Sequence, residues 1–394
     1  MSDRPDDICP APQRLPPQPT RPHVPAIYPA AVYECDSPDE ARRLLSGELP
    51  GYVYQRDRHP NADLLAEKCR QLHGAAWVQV CGSGMSALSA ALLGHLAAGD
   101  QVVVSDQLYG RSLQLWVEEA PRLGIACSTV DTRDLAATAA AITPRTRMIV
   151  VETITNPLLH VADIRRLAEI AHAAGAALLV DNTFATPVLC RPLTLGADLV
   201  VESVSKMMNG HGDVMLGLVC GQKSEAARLQ EVVAVWGLAS SPLDCWLAAR
   251  GLGTLHLRIE RACRNAQQAA EMLLAHQQVA SVAYPGLAGH PDHELAADQF
   301  GGRFGTVVSF HLAGGLPAAE RFIAAARRIP FCPSLGELST TLSHPQSTSH
   351  RRLSAAQLAR LGITGGTIRL SVGTESEEAV CDALREALDV LTPV

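Results

Sequence analysis

The residue types best suited to covalent chemistry lie in Ser203-Val204-Ser205-Lys206-Met207-Met208-Asn209-Gly210-His211-Gly212-Asp213, taken with Val180-Asp181-Asn182-Thr183 upstream. Lys206, flanked by small hydroxyls, follows the apolar run Ala197-Asp198-Leu199-Val200-Val201, which places it at the end of a buried strand. A second apolar run, Ala176 to Val180, ends in Asp181. An amine and a carboxylate delivered to the same edge of one sheet suit pyridoxal phosphate (PLP). The lysine forms a Schiff base with its aldehyde, and the aspartate keeps the pyridine nitrogen protonated so that the ring withdraws electrons. Taken singly, a lysine after a strand is more often a solvated loop residue, and an aspartate there a turn former or helix cap. Other segments shift the balance.

Cys81-Gly82-Ser83-Gly84-Met85-Ser86-Ala87 joins a strand to a helix. Its glycines permit a tight turn, and the amides of Gly84 and Met85 at the helix N-terminus suit a phosphate. A rival reading is a dinucleotide fingerprint, with Asp106 at the end of the next strand holding a ribose; a turn with no ligand is a third. The dinucleotide reading leaves Lys206 and Asp181 unexplained, whereas PLP uses all three. Tyr54-Gln55-Arg56 either binds a phosphate, the arginine by its fork, or is a solvated loop. Tyr109, in Leu108-Tyr109-Gly110-Arg111, has a ring able to stack on a planar cofactor. Asn156 follows another strand end and is a candidate donor to the ring hydroxyl. Arg369, in Ile368-Arg369-Leu370-Ser371-Val372-Gly373, sits among apolar neighbours. An arginine there needs an anion, structural or substrate, since leaving it unpaired costs roughly several kcal/mol.

Around these residues the elements recur regularly. Strands are expected at Trp77–Cys81, Gln101–Val104, Ala126–Val130, Met148–Val151, Ala177–Val180, Leu199–Val201 and Met215–Cys220, with helices Ser86–Ala98, Leu113–Ala120, Asp134–Ile142 and Ile164–Ala174 between the early ones. Alternation of this kind implies a mostly parallel sheet covered on both faces. The remainder mixes helices Trp246–His276, Pro317–Arg328 and Glu375–Leu391 with strands Val307–Leu312 and Thr367–Val372, a smaller α/β unit. The expected division is a Pro-rich N-terminal arm over 1–50, a PLP-binding large domain over 51–245 and a small domain over 246–394. Proline is dense from Pro10 to Pro29, so that stretch is either disordered or extended over another surface.

Composition fits an α/β enzyme: 394 residues, 47% hydrophobic, net charge −7, which argues against a nucleic-acid surface. The 11 cysteines are scattered with no C-x-x-C pair, so neither a zinc site nor a disulfide framework is expected, and no metal is assigned. No signal-peptide h-region or membrane-length apolar stretch is visible, and the expected compartment is the cytosol.

In order, Tyr54-x-Arg56, Ser83-Gly84-Met85-Ser86-Ala87, Leu108-Tyr109-Gly110, Asn156-Pro157, Asp181-Asn182-Thr183-Phe184, Ser203-x-Ser205-Lys206, Arg250-Gly251-Leu252, Ser334-Leu335-Gly336 and the Arg369 strand resemble the Cys/Met-metabolism PLP enzymes. That family includes cystathionine γ-synthase, the cystathionine lyases, methionine γ-lyase and the O-acylhomoserine sulfhydrylases. The resemblance implies the PLP-dependent aminotransferase fold type I, with a seven-stranded large-domain sheet, and a homotetramer of two catalytic dimers. It implies Lys206, Asp181 and Tyr109 as catalytic groups. Gly84, Met85, Ser203 and Ser205 would hold the phosphate, with Tyr54 and Arg56 reaching into the neighbouring subunit's site. Arg369 and Ser334 would hold the substrate carboxylate. The implied reaction is α,γ-elimination or γ-replacement on cystathionine or a related homoserine derivative. Methionine γ-lyase, O-acylhomoserine sulfhydrylase and cystathionine β-lyase are alternatives within the family, and an NAD-linked oxidoreductase using the Gly82 loop the alternative outside it. Two departures bear on substrate. Pro333 stands where γ-synthases and γ-lyases commonly carry glutamate. Arg111 follows Tyr109-Gly110, where it either reads a distal anionic group or points to solvent.

Overall fold

The computed structural model describes residue 20, residues 22–222 and residues 225–391. Seven strands, β1 (Trp77–Cys81), β2 (Gln101–Ser105), β3 (Ala126–Val130), β4 (Thr146–Glu152), β5 (Ala177–Asp181), β6 (Leu199–Glu202) and β7 (Gly217–Gly221), form one sheet in the order β1-β7-β6-β5-β4-β2-β3. β7 runs antiparallel to both neighbours, while the other pairs are parallel. The apolar runs are continuous because both faces are covered. Val103, Ile149, Val151, Leu178, Val180 and Val200 pack into one core with helices Pro60–His73 and Ile164–Ala173. Their alternates Val102, Val104, Met148, Val150, Leu179 and Val201 pack into another with helices Gly84–His95 and Ala226–Val235. The carboxyl ends of β2, β4, β5 and β6 therefore open on one edge, the edge where ligands bind in such sheets.

A second sheet contains β8 (Val279–Ala283), β9 (Val307–Leu312), β10 (Thr341–Ser343) and β11 (Thr367–Ser371), antiparallel in the order β10-β11-β9-β8. Val308, Phe310, Ile368 and Leu370 share a core with residues of helices Leu255–Leu274, Gly315–Ala325 and Glu377–Asp389. Strand alternation turns Ser309 and Arg369 the other way. Ser309 Oγ donates to the Pro157 carbonyl at 2.5 Å and Arg369 reaches Asn156, so this face of the second sheet closes over the site edge of the first.

The seven-stranded, mostly parallel sheet and the smaller second unit match the sequence reading. The expected single helix Trp246–His276 is two, Pro242–Gly251 and Leu255–Leu274, separated by a 3-10 turn at Leu252–Thr254. Gly251 and Gly253 weaken helical continuity there, and the Arg258 guanidinium takes the Gly251 carbonyl at 3.0 Å. The 245/246 division falls inside the first of these helices, and the second contributes to both cores. Residues 1–19 of the Pro-rich arm lie outside the described residues. The rest of the arm carries a helix, Pro38–Leu45, that the proline density obscured, capped by Ser37. Before it the chain lies extended on its own surface, where Asn61 pairs with Tyr28 and Ala26, and Trp246 Nε1 donates to the Pro25 carbonyl. Among the described residues no helix is long and apolar enough to cross a membrane.

Candidate active site

Lys206 is delivered by a turn directly after β6, its amide donating to the Ser203 carbonyl at 3.0 Å. Two devices hold that turn. Arg258 spans the Met207 and Met208 carbonyls at 2.8 and 3.0 Å. Gly336, at φ +88°, backs directly onto the Lys206–Met207 peptide, where a Cβ would lie 2.8 Å from Lys206 C. The Lys206 ammonium donates to Ser334 Oγ at 3.0 Å. Burial, aided by the Arg369 charge, pushes its pKa below the usual lysine value, which raises the share of free amine available as nucleophile and base.

Arg369 is 4% exposed, and burial lowers its pKa to about 10, so it stays charged at neutral pH. Its Nη1 donates to Asn156 Oδ1 at 3.0 Å and Nη2 to the Ser334 carbonyl at 2.9 Å, while Nε is buried without a protein partner. A buried, unpaired donor beside a lysine amine and a serine hydroxyl fits a ligand carboxylate.

Asp181 closes β5. Its Oδ1 accepts from both the amide and the hydroxyl of Thr183, at 3.0 and 2.6 Å, and burial raises its pKa. The Thr183 hydroxyl in turn accepts from the Ser203 amide at 2.8 Å, tying the carboxylate to the lysine turn. Glu152, not singled out from the sequence, closes the neighbouring β4 in register with Asp181 and accepts from the Tyr109 amide at 2.6 Å. Burial and the adjacent Asp181 raise its pKa well above normal.

The sequence also missed Glu202 and His73. Glu202 Oε1 accepts from Asn182 Nδ2 at 2.9 Å and lies 3.7 Å from His73 Nε2, while its Oε2 and both His73 nitrogens have no hydrogen-bond partner. Burial raises the Glu202 pKa and lowers that of His73 to about 3, so the pair sits in the core as neutral acid and neutral imidazole.

Gly84 opens the helix Gly84–His95, which Ser83 caps through Ser86 N at 3.0 Å. A Cβ at Gly84 would meet Ser203 Cβ at 2.9 Å, so only glycine lets the helix start come this close to the lysine turn. The start of that helix, with its first-turn amides, and Ser203 thus come together beside the lysine turn, an arrangement suited to a phosphate. Ser205 differs: its hydroxyl donates to the Leu216 carbonyl at 3.1 Å and accepts the Leu216 amide at 2.9 Å, which commits its proton to the backbone. Tyr109 is exposed, its amide held by Glu152. Tyr54 and Arg56 are exposed, with the Arg56 guanidinium stacked 5.0 Å over the Tyr54 ring, and are not joined to the Lys206 edge by any hydrogen bond within the described chain. Arg111 is exposed and donates to Gln114 Oε1 at 2.8 Å, a group that Arg352 also reaches at 3.3 Å. Asp106 pairs with Arg360 at 3.2 Å, a structural use of the acid that the dinucleotide reading assigned to a ribose.

The family described as Cys/Met metabolism PLP-dependent enzyme matches residues 11–389. The chain belongs to this family. Among relatives of this Cys/Met-metabolism enzyme, it is 40% identical to an O-succinylhomoserine sulfhydrylase of Pseudomonas aeruginosa, over 90% of this chain and 87% of the relative. It is 37% identical to an L-methionine gamma-lyase of Porphyromonas gingivalis, over 93% and 92% of the two chains. The crystal structure of cystathionine gamma synthase from Xanthomonas oryzae pv. oryzae in complex with cystathionine superposes with a TM-score of 0.86 at 36% identity, covering 93% of each chain. This Cys/Met-metabolism enzyme is therefore a PLP-dependent transsulfuration enzyme acting on carbon–sulfur bonds, with a small-molecule substrate. The dinucleotide reading of the Gly82 loop finds no support in it.

Proposed function

We propose that this enzyme cleaves or forms the Cγ–S bond of cystathionine or a related homoserine-derived amino acid, by α,γ-elimination or γ-replacement. The observation that carries the reading is the cluster of Lys206 Nζ on Ser334 Oγ beside the unpaired, buried Nε of Arg369. Arg369 with Ser334 takes the α-carboxylate by a charge-assisted fork and thereby aims Cα at the Lys206 amine. When bound, PLP supplies an electron-withdrawing ring that stabilises negative charge at Cα. Lys206 removes the Cα proton and carries protons onward, its lowered pKa suiting it to that task at neutral pH. Asp181 would pair with the pyridine nitrogen, and Thr183 fixes the orientation of its carboxylate. Gly84, Met85 and Ser203 would hold the phosphate, Asn156 the ring hydroxyl, and Tyr109 would cover the ring face, whereas Ser205, its hydroxyl committed to Leu216, shapes the lysine turn. Tyr54 and Arg56 complete the phosphate site of a neighbouring subunit, which makes the catalytic unit a dimer, and two such dimers form a homotetramer. Their exposure, with that of Val24, Ile27, Tyr28 and Val32 on the arm, fits a surface covered by another copy. The ten described cysteines are all free, in keeping with the cytosol.

Pro333 brings no charge to the substrate end of the site. Glu337 lies within electrostatic range of Lys206 and gives a distal ammonium an acid to meet, which favours cystathionine. The second reading is transfer of sulfur to O-succinylhomoserine: Arg111 and Arg352 converge on Gln114 and present two exposed guanidinium groups to a distal carboxylate. A steady-state panel of L-cystathionine, O-succinyl-L-homoserine plus a thiol, and L-methionine separates the two. Release of 2-oxobutyrate from cystathionine supports the first reading, preferential turnover of the succinyl ester the second. Pyruvate from cystathionine would mean β-elimination, and turnover of methionine alone would overturn both.

A further inference from the structure

Away from the Lys206 edge, His160, His290 and Asp292 converge so that one donor atom of each lies within 4.8 Å of the others. The three come from distant parts of the chain. His160 ends the tight loop that begins at Thr155, held by Thr155 N to the His160 carbonyl at 2.9 Å and His160 N to Thr155 Oγ1 at 3.0 Å. His290 and Asp292 lie in the turn before helix His293–Phe300. His160 Nδ1 is 3.2 Å from Asp292 Oδ2, which also accepts the Val161 amide at 3.0 Å. His290 Nδ1 accepts the Asp292 amide at 3.1 Å, leaving Nε2 as its ligand atom.

We propose that His160 Nδ1, His290 Nε2 and Asp292 Oδ2 form a site for a zinc-class divalent transition metal, with water in the remaining position. Two imidazoles and one carboxylate suit zinc, whereas magnesium and calcium prefer oxygen throughout. A neighbouring cation is Arg133, whose Nη1 lies 3.0 Å from His160 Nε2 while its Nε and Nη2 grip Asp131 at 2.9 and 2.6 Å. In the metal-free form Arg133 donates to Nε2, so the imidazole proton resides on Nδ1 and points at Asp292. Metal binding to Nδ1 moves that proton to Nε2, and Arg133 releases the ring while keeping Asp131; no proton is lost overall. The same loop carries Asn156, which receives Arg369. A bound ion therefore pins the Asn156 loop to the segment before His293 and steadies the carboxylate-binding arginine from behind. His160 and Asp292 act as ligands, not as catalytic residues.

The test is equilibrium dialysis of the PLP-loaded enzyme, stripped with chelator, against zinc chloride, with melting temperature followed in parallel. The expected result is one zinc per chain, a melting temperature that rises with zinc, and affinity at least about tenfold weaker in both His160→Gln and Asp292→Asn. Arg133→Ala should bind zinc more tightly than wild type, because the competing donor is gone. Melting temperatures of the variants without zinc separate lost ligation from lost folding. Failure to bind zinc, or equal affinity in wild type, His160→Gln and Asp292→Asn, would overturn the assignment and place any bound zinc on cysteines or other surface groups.

Discussion

Replacing Arg369 by lysine keeps a positive charge in the pocket and removes the planar fork. In the structure Nη1 and Nη2 are bound to Asn156 Oδ1 and the Ser334 carbonyl, and Nε is left over. A substrate carboxylate thus gains Nε together with a shared terminal nitrogen. A lysine at this position satisfies one of the fixed acceptors or one carboxylate oxygen, not the full set. The loss is about one charge-assisted hydrogen bond plus part of an unsatisfied buried acceptor, about 3 kcal/mol together. At 1.36 kcal/mol per decade this lowers kcat/KM roughly 150-fold. The α-carboxylate contact is the same before and during the reaction, so the change falls mainly on KM. The assay is steady-state 2-oxo acid release by wild type and Arg369→Lys, with melting temperatures as the control on folding. A folded variant whose kcat/KM stays within about threefold of wild type refutes the placement of Arg369 at the substrate carboxylate.

Three further outcomes follow from the same geometry. Gly336→Ala forces a side chain against the Met207 amide at positive φ; it should cost about 1–3 kcal/mol in denaturant unfolding and weaken PLP retention on gel filtration. Glu202→Gln tests the neutral state of the buried acid. Because burial raises the folded-state pKa of Glu202, the acid favours the folded state below its unfolded pKa and loses that advantage as pH rises through the folded value. The glutamine variant should therefore melt higher than wild type at alkaline pH, with the gap closing toward acid, as read by differential scanning fluorimetry; a pH-independent difference would argue against it. Arg56→Ala and Lys206→Ala, each inactive alone, should recover about a quarter of wild-type activity when refolded or expressed together, since about half of the dimers are mixed and each mixed dimer holds one intact site of its two. No recovery would place Arg56 in its own subunit's site or outside catalysis.

What the sequence discloses and what it hides follow from locality. The sheet strands are legible because burial on both faces writes them as unbroken apolar runs, and Asp181 and Lys206 stand out as polar residues at or just beyond the ends of such runs. Glu152 carries the same signal, an acid ending the run Met148–Val151, and its partnership with Asp181 needed only the strand order. Glu202 and His73 are different. Their proximity depends on the last residue of helix Pro60–His73 coming up to the end of β6, a contact that no local pattern records. The same is true of Arg258 under the lysine turn and of His160 with His290 and Asp292. Short β8 and β10 escape for another reason: β8 is largely half exposed, and β10 spans three residues, too few to show a period. The Pro-rich arm hid the helix Pro38–Leu45 because its proline begins the helix, where a missing amide costs nothing.

The central claim is that Lys206 is the residue that carries PLP. The most direct test is the absorbance spectrum of the purified protein, wild type and Lys206→Ala, each saturated with PLP and then passed through a desalting column. A visible band should be retained by wild type, shift on adding the amino-acid substrate, and be absent or altered to that of free cofactor in the variant. A band of the same position and stoichiometry in both proteins would contradict it, as would the absence of any band in wild type.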